Sequence, residues 1–171
     1  LILMLDLSPY KQLAYAIIGA AMRVHDYHKN GLIEAVYRES LSLELIDKGI
    51  ENEEEKERHC YYRQHQLKKK YRMDIVVGDI GVELTAVREL LPEHRAQLCN
   101  YLRLTRKPLG LLINFGAPSI QGERWAFDVE TNECYVVDVN MQPVSMDDID
   151  IDYEWEDIPE VSENQNKLMI N

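Results

Sequence analysis

The chain has 171 residues, which is enough length for one well-buried core and an appendage. Its formal net charge is −11 at pH 7. No apolar run approaches the roughly 18 residues that a membrane-spanning helix needs, so we expect no membrane partner. The first seven residues lack the basic flank and the small-residue cleavage site of a signal peptide, and we therefore expect a cytoplasmic location. Three cysteines without a Cys-x-x-Cys spacing argue against both a disulfide framework and a zinc knuckle, and we expect free thiols.

The negative charge is concentrated near the C-terminus. Residues 146–163 hold nine carboxylates and no Lys or Arg, and in residues 1–145 the acids exceed the basic residues by only three. Strong overall acidity argues against a nucleic-acid partner, but this distribution removes that objection for the body of the chain. We expect a domain over residues 1–144, followed by an acidic tail over residues 145–171 that is partly disordered because of its charge.

Two helices are predicted at the N-terminus. The pair Ser8-Pro9 is typical of a helix start, and apolar residues then recur at helical spacing to about His28. Asn30-Gly31 ends this helix and leads to a second one, predicted over residues 32–48 with Gly49 as its C-terminal cap. The residues of the second helix that we expect to face the core are Ile33, Val36, Leu41, Leu43 and Ile46.

From residue 50 the pattern changes to strands. The charged stretch 51–58 is predicted as an exposed edge, and two strands follow over residues 60–66 and 67–77, with a turn between positions 65 and 69. A tight turn at residues 78–81, a helix from about residue 91 to 104 and further strands complete the pattern; these strands are predicted over residues 82–87, 109–115, 125–129 and 135–139. The order of elements predicts an α/β domain with a mixed β-sheet flanked by helices.

Two carboxylates in adjacent predicted strands are candidates for a functional site. If the turn at residues 78–81 is a two-residue loop at Asp79-Ile80, Asp74 lies opposite Thr85, and Glu83 lies diagonally from Asp74 on the same face. Hard divalent cations such as Mg²⁺ and Mn²⁺ prefer oxygen donors of this kind, so the two strands predict a metal site. The alternative is a solvated strand face on which the carboxylates hold no ligand.

Further polar residues lie about one helical turn apart in the predicted helices. Gln97 shares a helix face with Tyr101, and Glu34 shares one with Tyr37. Pairs of this kind also form ordinary hydrogen bonds on helix surfaces. Spacing alone therefore leaves open whether these side chains border a site or only stabilise their helices.

The ordered set of these segments resembles the GxxExxY family of the PD-(D/E)xK nuclease-like superfamily. The resemblance runs over about residues 15–116, and its main segments are Gly31-x-x-Glu34-x-x-Tyr37, Arg72-Met-Asp74, Glu83-Leu84, and the stretches 93–102 and 110–116. It implies a restriction-endonuclease-like core and a Mg²⁺- or Mn²⁺-dependent phosphodiesterase that acts on DNA or RNA. It also implies that Asp74, Glu83 and Glu34 are metal ligands, and that these three residues and Gln97 are the catalytic residues.

One position departs from the family pattern where the chemistry depends on it. Thr85 stands where the motif has a lysine, which positions or activates the attacking water and offsets charge in the transition state. A neutral hydroxyl cannot supply that charge, so we expect catalysis to be weakened or lost. Lys70 and Arg72 have the same parity as Asp74 along their strand and are candidates for a replacement cation; the alternative is a basic stretch on a solvated strand.

A basic run precedes the first of the two carboxylates. Lys68, Lys69, Lys70 and Arg72 are the residues expected to contact a nucleic-acid backbone, with neighbouring tyrosines available for the bases. A charged hairpin turn beside ordinary strand tyrosines is the alternative. The sequence thus predicts a metal-dependent nuclease-like domain and leaves a second class open, a catalytically inactive nucleic-acid-binding or protein-interaction module.

Overall fold

The computed structural model describes residues 5–153, which form three layers, with helices covering both faces of one sheet. The α-helices of this part of the chain are α1 (Lys11–His28), α2 (Glu34–Asp47) and α3 (Pro92–Thr105). Its strands are β1 (Glu53–Tyr62), β2 (His65–Val77), β3 (Ile80–Thr85), β4 (Leu109–Asn114), β5 (Ile120–Asp128), β6 (Glu133–Val137) and β7 (Asp152–Tyr153). The predicted α/β class with two N-terminal helices is confirmed.

The sheet is mixed, as predicted. Its strands lie in the order β1-β2-β3-β4-β5-β6, and β7 pairs with the start of β5. Neighbouring strands are antiparallel except for β3 and β4, which are parallel and are connected through α3. Helices α1 and α2 pack against one face of the sheet, and α3 packs against the other. Each face therefore has its own hydrophobic core.

The buried face of α2 differs from the predicted one. The helix begins at Glu34, because the preceding residue, Ile33, has an extended backbone. The buried residues of α2 are Tyr37, Leu41, Ser42 and Leu45. Leu43 and Ile46 were predicted to face the core, but they are exposed together with Ile33, since they lie on the other side of the helix.

Residues 53–77 form one long hairpin and not an edge followed by two strands. Tyr62 at the end of β1 pairs with His65 at the start of β2, so the turn consists of Arg63-Gln64. This turn lies earlier than predicted, and Arg63 takes the positive φ of 53° that a tight hairpin turn favours. The lysine run at residues 68–70 consequently lies within β2 and not on a turn.

The turn between β2 and β3 also lies earlier than predicted, by one residue. Val77 pairs with Ile80, which leaves Gly78-Asp79 as the two-residue loop. Gly78 takes a positive φ of 57°, a conformation that costs glycine little. Ile80 belongs to the strand because its side chain is completely buried in the core.

The sheet extends into the predicted acidic tail. β5 begins at Ile120, well before the predicted strand 125–129, and its first two residues pair with Asp152 and Tyr153 of β7. The rest of the tail, residues 154–171, lies outside the described residues, and so does the disorder predicted there. Within residues 5–153 no helix combines the length and the hydrophobicity needed to cross a membrane.

Candidate active site

The ladder between β2 and β3 ends where two of the predicted metal ligands lie. The last pair of this ladder is Ile75 with Val82, and Asp74 and Glu83 are the next residues beyond it on the two strands. The predicted register, in which Asp74 faced Thr85, is therefore wrong, because the turn falls one residue earlier. The charge of Asp74 acts on Glu83, so the two carboxyl groups lie close together at the end of the ladder.

At the end of this ladder, the Asp74 side chain accepts a hydrogen bond from the backbone of β3. Its Oδ2 atom accepts a hydrogen bond of 2.8 Å from the N–H group of Leu84. Burial raises the pKa of Asp74 above its ordinary value, although this hydrogen bond and the charge of Arg38 act in the opposite direction. The carboxyl group is thus held at the point where β2 separates from β3.

Glu83 combines burial with nearby negative charge. Its Oε1 atom accepts a hydrogen bond of 3.0 Å from Nε2 of Gln97, which α3 brings to this face of the sheet. Burial, followed by the charges of Asp74 and Glu34, raises the pKa of Glu83 to about 8. Without a bound cation this carboxyl group is mostly protonated at neutral pH, and a cation would favour its ionised form.

Glu34 reaches the same region from α2. It is the first residue of that helix, where the helix dipole favours a negative charge. Partial burial and the charge of Asp74 raise the pKa of Glu34, and Arg38 lowers it. Hydrogen bonding or charge interaction thus links four of the predicted site residues, which are Glu34, Asp74, Glu83 and Gln97.

The donor set fits a magnesium or manganese site that has two protein carboxylates. Asp74 and Glu83 offer hard oxygen donors, and the charge of Asp74 adds to the effect of burial in raising the pKa of Glu83. Mg²⁺ is usually held by one or two carboxylates, with substrate phosphates and water completing its octahedron. Among residues 5–153 no three His, Cys, Asp or Glu side chains are placed to hold an ion together. Glu34 as a third metal ligand beside Asp74 and Glu83 stays a prediction.

Arg38 is a cation beside these acids that the sequence analysis did not single out. It follows Glu34 by one turn of α2, its side chain is mostly buried, and its guanidinium lies 3.8–3.9 Å from Glu55 and Glu54 on β1. It lowers the pKa of Glu34 and of Asp74. The four-residue spacing from Glu34 was the available signal, because residues so spaced lie on one helix face.

The predicted replacement cations pair with other carboxylates. Arg72 lies 3.5 Å from Glu57 and 3.9 Å from Glu55, and Lys70 lies 3.9 Å from Glu57. These exposed ion pairs cross from β2 to β1 and partly neutralise the strand. Lys68-Lys69 is exposed and forms no ion pair with the described part of the chain. Contact of this run with nucleic acid stays a prediction.

Thr85, at the position of the family lysine, is only 6% exposed. It pairs with Asn114 of β4, whose buried amide fixes the chain that leaves β3: Oδ1 accepts from the N–H groups of Val87 and Gly116, and Nδ2 donates to the Val87 carbonyl. A Cβ atom at Gly116 would lie 2.3 Å from the Val87 backbone, so only glycine fits there. These contacts fix the backbone that follows β3 against the end of β4.

A buried ion pair holds α3 against the same face. Arg95 donates to both carboxylate oxygens of Glu123 at 2.8–3.0 Å, and Trp125 Nε1 donates to the same carboxylate at 3.0 Å. Glu123 is completely buried. Arg95 precedes Gln97 by two residues, so this pair fixes the start of the helix from which Gln97 reaches Glu83. Sequence reasoning missed it because the partners are 28 residues apart.

A mixed sheet with helices on both faces, in which the β2–β3 ladder ends at two carboxylates, defines an α/β domain of the restriction-endonuclease type. A sequence model of the PD-(D/E)XK nuclease superfamily matches residues 11–125, from the start of α1 into β5. The chain belongs to the PD-(D/E)XK nuclease superfamily. The predicted superfamily and restriction-endonuclease-like core are thereby confirmed.

Two further comparisons add little to this assignment. No curated protein matches the chain. A solved structure titled "Crystal structure of SSO0001" is similar over 68% of this chain and 62% of that chain, with 21% sequence identity and a TM-score of 0.39. The match therefore spans less than two thirds of that structure's chain.

Proposed function

We propose that this chain is a nuclease-like domain of the GxxExxY type, which binds Mg²⁺ or Mn²⁺ and takes DNA or RNA as its substrate or ligand. The observation that carries the proposal is the pair of carboxyl groups Asp74 and Glu83 just beyond the last pair of the β2–β3 ladder, where burial and the charge of Asp74 raise the pKa of Glu83 to about 8. Nucleases of the PD-(D/E)XK superfamily commonly use divalent metals, which supports the choice of ligand.

The contacts of each side chain suggest its role in this function. Asp74 and Glu83 would hold the ion, and Glu34 adds a third negative charge at the same edge. Gln97 fixes the Glu83 carboxyl group through its hydrogen bond, so that one oxygen keeps its direction when the other binds a ligand. A divalent cation held there would polarise a phosphoryl oxygen of a phosphodiester.

We infer that catalysis by the chain as it stands is weak or absent. Thr85 supplies no positive charge, and removing one preorganised charge-stabilising donor typically costs on the order of 10²–10³ in rate. Arg38 is a cation in the region, but its guanidinium lies toward Glu54 and Glu55 on β1. The same substitution favours the second candidate function, an inactive module that binds nucleic acid or another protein.

Calorimetric titration of the full chain with Mn²⁺ tests the metal site. At a pH above about 8, where Glu83 is ionised, we expect weak binding that Asp74→Asn and Glu83→Gln each abolish. Glu39→Gln is the matched control, because Glu39 is an exposed carboxylate of α2 that forms no ion pair among residues 5–153. Identical titration curves for all four proteins would refute the assignment.

Cleavage assays on the same proteins separate the two candidate functions. Single- and double-stranded DNA and RNA are incubated with each protein and Mn²⁺. Metal binding without cleavage above the Asp74→Asn background identifies an inactive module. Cleavage that Asp74→Asn and Glu83→Gln remove, and that Glu39→Gln leaves intact, identifies an enzyme.

A further inference from the structure

A cleft lined by arginines and tyrosines lies on the α3 side of the sheet. It encloses about 440 Å³ between the tip of the β1–β2 hairpin, the C-terminal end of α3 and the β5–β6 turn. Tyr61, Tyr62 and Arg63 line it from the hairpin, and Arg103 and Arg106 line it from the helix end. No carboxylate lines this cleft within the described residues.

The charge of the cleft is not neutralised by the described part of the chain. Arg63, Arg103 and Arg106 are exposed, and none of them forms an ion pair within residues 5–153. The basic residues further along β2 differ in this respect, since Lys70 and Arg72 each lie within 4 Å of a carboxylate on β1. These three guanidinium groups therefore form a local basic surface without carboxylate partners among residues 5–153.

Two of the guanidinium groups lie over tyrosine rings. The guanidinium carbon of Arg106 lies 5.4 Å from the ring centroid of Tyr61, and that of Arg63 lies 5.3 Å from the ring centroid of Tyr62. Arg106 also donates a hydrogen bond to the backbone carbonyl of Arg63, which joins the helix end to the hairpin tip. The guanidinium group of Arg63 makes no hydrogen bond within the described residues, and Tyr62 is 59% exposed.

We propose that this arginine–tyrosine cleft binds single-stranded nucleic acid, with backbone phosphates on the guanidinium groups and bases stacked on the tyrosines. The proposal rests on the proposed function, for which it supplies the surface that holds the nucleic acid. Arginine forks match phosphate oxygens, and aromatic rings beside a basic groove accept bases of any sequence. An acidic peptide would match the charge but would leave the tyrosine faces without a partner.

The position of the cleft relates it to the carboxylates. Arg103 follows Gln97 by six residues of α3, which corresponds to about 9 Å along the helix axis. Gln97 contacts Glu83, so α3 runs from the carboxylates at its start to the cleft at its end. The carboxylates and the cleft therefore both border α3.

Fluorescence anisotropy with a labelled oligothymidylate of about 12 nucleotides tests the proposal, within the range of site sizes that single-strand binders use. The full chain is titrated in EDTA, so that the result does not depend on the metal. We expect the double variant Arg63→Gln/Arg103→Gln to bind at least about tenfold more weakly, with the slope of log affinity against log salt reduced by one to two. Lys48→Gln at the end of α2, on the opposite layer, is the matched control and should bind as the unmodified chain does.

Tyr62→Ala provides a second variant that does not depend on charge. We expect it to weaken binding roughly fivefold to a hundredfold while the salt dependence stays unchanged, because one base loses its stacking partner. Its exposed side chain can be removed with little effect on folding.

Three outcomes would overturn the proposal. They are an unmodified chain that does not bind the oligonucleotide, an arginine double variant that binds as well as Lys48→Gln, and polyglutamate that binds more tightly than the oligonucleotide. The last result would assign the cleft to an acidic peptide. Failure of the metal site leaves all these affinities unchanged, and failure of the cleft leaves the Mn²⁺ titration unchanged, so the two failures are distinguishable.

Discussion

Glu83 couples the chemistry of the site to the stability of the fold. Its pKa in the folded chain is about 8, above its ordinary value of 4.5, because of burial and of the charges of Asp74 and Glu34. Between these two pH values the folded state keeps a proton that the unfolded state releases. The metal-free protein therefore loses stability through this group as the pH rises from about 4.5 to about 8.

Replacement of Glu83 by glutamine should remove this pH dependence. We expect Glu83→Gln to have a free energy of unfolding close to that of the unmodified chain below pH 5, and to be more stable by roughly 1–4 kcal/mol near pH 9. Urea denaturation in EDTA at both pH values measures the difference. Glu93→Gln, at an exposed position in the first turn of α3, is the control. Equal pH slopes for Glu83→Gln and the unmodified chain would contradict the prediction.

A lysine at position 85 should restore the charge that the nuclease motif supplies. We expect Thr85→Lys to raise Mn²⁺-dependent cleavage by up to about 10²–10³ over the unmodified chain, if its ammonium reaches the phosphoryl oxygens. Thr85→Met controls for side-chain size at this buried position, and Asp74→Asn in the Thr85→Lys background should abolish the gain. Equal cleavage rates for the lysine and methionine variants would show that a positive charge at position 85 does not support cleavage.

Efficient cleavage by the unmodified chain would contradict the inference that it lacks the charge of the missing lysine. A protein cation would then have replaced the missing lysine. Loss of cleavage in Lys70→Ala, Arg72→Ala or Arg38→Met would identify which residue supplies it. Arg38 is the candidate that the structure adds, because its charge acts on both Glu34 and Asp74.

At the scale of elements, the position of α3 depends on a charge pair inside the domain. The Arg95 guanidinium is the charged partner of Glu123, which is completely buried in β5. Desolvated carboxylates are costly without such a partner. The helix that carries Gln97 is thus tied to the sheet by electrostatics as well as by its apolar face.

Breaking this pair from one side should be far more destabilising than replacing both partners. We expect Arg95→Met to lower the free energy of unfolding by about 3–5 kcal/mol, and Arg95→Met/Glu123→Leu to recover most of that loss. Lys29→Met, which removes an exposed ion pair with Asp26, should cost less than about 1 kcal/mol. Urea denaturation measures all three. A double variant as unstable as Arg95→Met would show that the charges themselves are required.

At the scale of the whole molecule, the sequence near the C-terminus is rich in carboxylates. The cleft, in contrast, has arginines without carboxylate partners among residues 5–153. Residues 154–163 carry five carboxylates and no basic residue. Truncation after Tyr153 removes these charges and keeps β7, which pairs with β5. This cut therefore separates the effect of the charge from an effect on the sheet.

The acidic segment should compete with nucleic acid for the basic surfaces, which are the cleft and the lysine run in β2. We expect truncation after Tyr153 to raise oligonucleotide affinity several-fold at low salt, with the difference vanishing near 0.5 M salt as charges are screened. Replacing the five carboxylates by amides in the full-length chain should have the same effect as the truncation. Unchanged affinity of the truncated chain at low salt would show that the segment has no such role.

Local signals in the sequence predicted elements but not always their limits. The helices α1 and α3 and the strand β4 follow from periodicity, capping residues and one continuous apolar run. Both hairpin turns were predicted too late in the chain, because several candidate turn residues stand side by side and only strand pairing selects among them. The buried face of α2 was predicted incorrectly for the same reason, since exposed Leu43 and Ile46 have no local mark that distinguishes them from buried residues.

The sequence by itself determined the α/β class and the superfamily, because the types and order of its residues are local properties of the chain. The roles of Glu34, Asp74, Glu83 and Gln97 stay predictions from that order. Only the tertiary structure decided that the carboxyl group of Asp74 bonds the backbone of β3 beside Glu83, and that Lys70 and Arg72 pair with β1 carboxylates. It also decided which cations remain without a carboxylate partner in the described part of the chain. The physical reason is that register, burial and charge pairing depend on residues far apart in sequence, which come together only when the sheet and its two helical layers assemble.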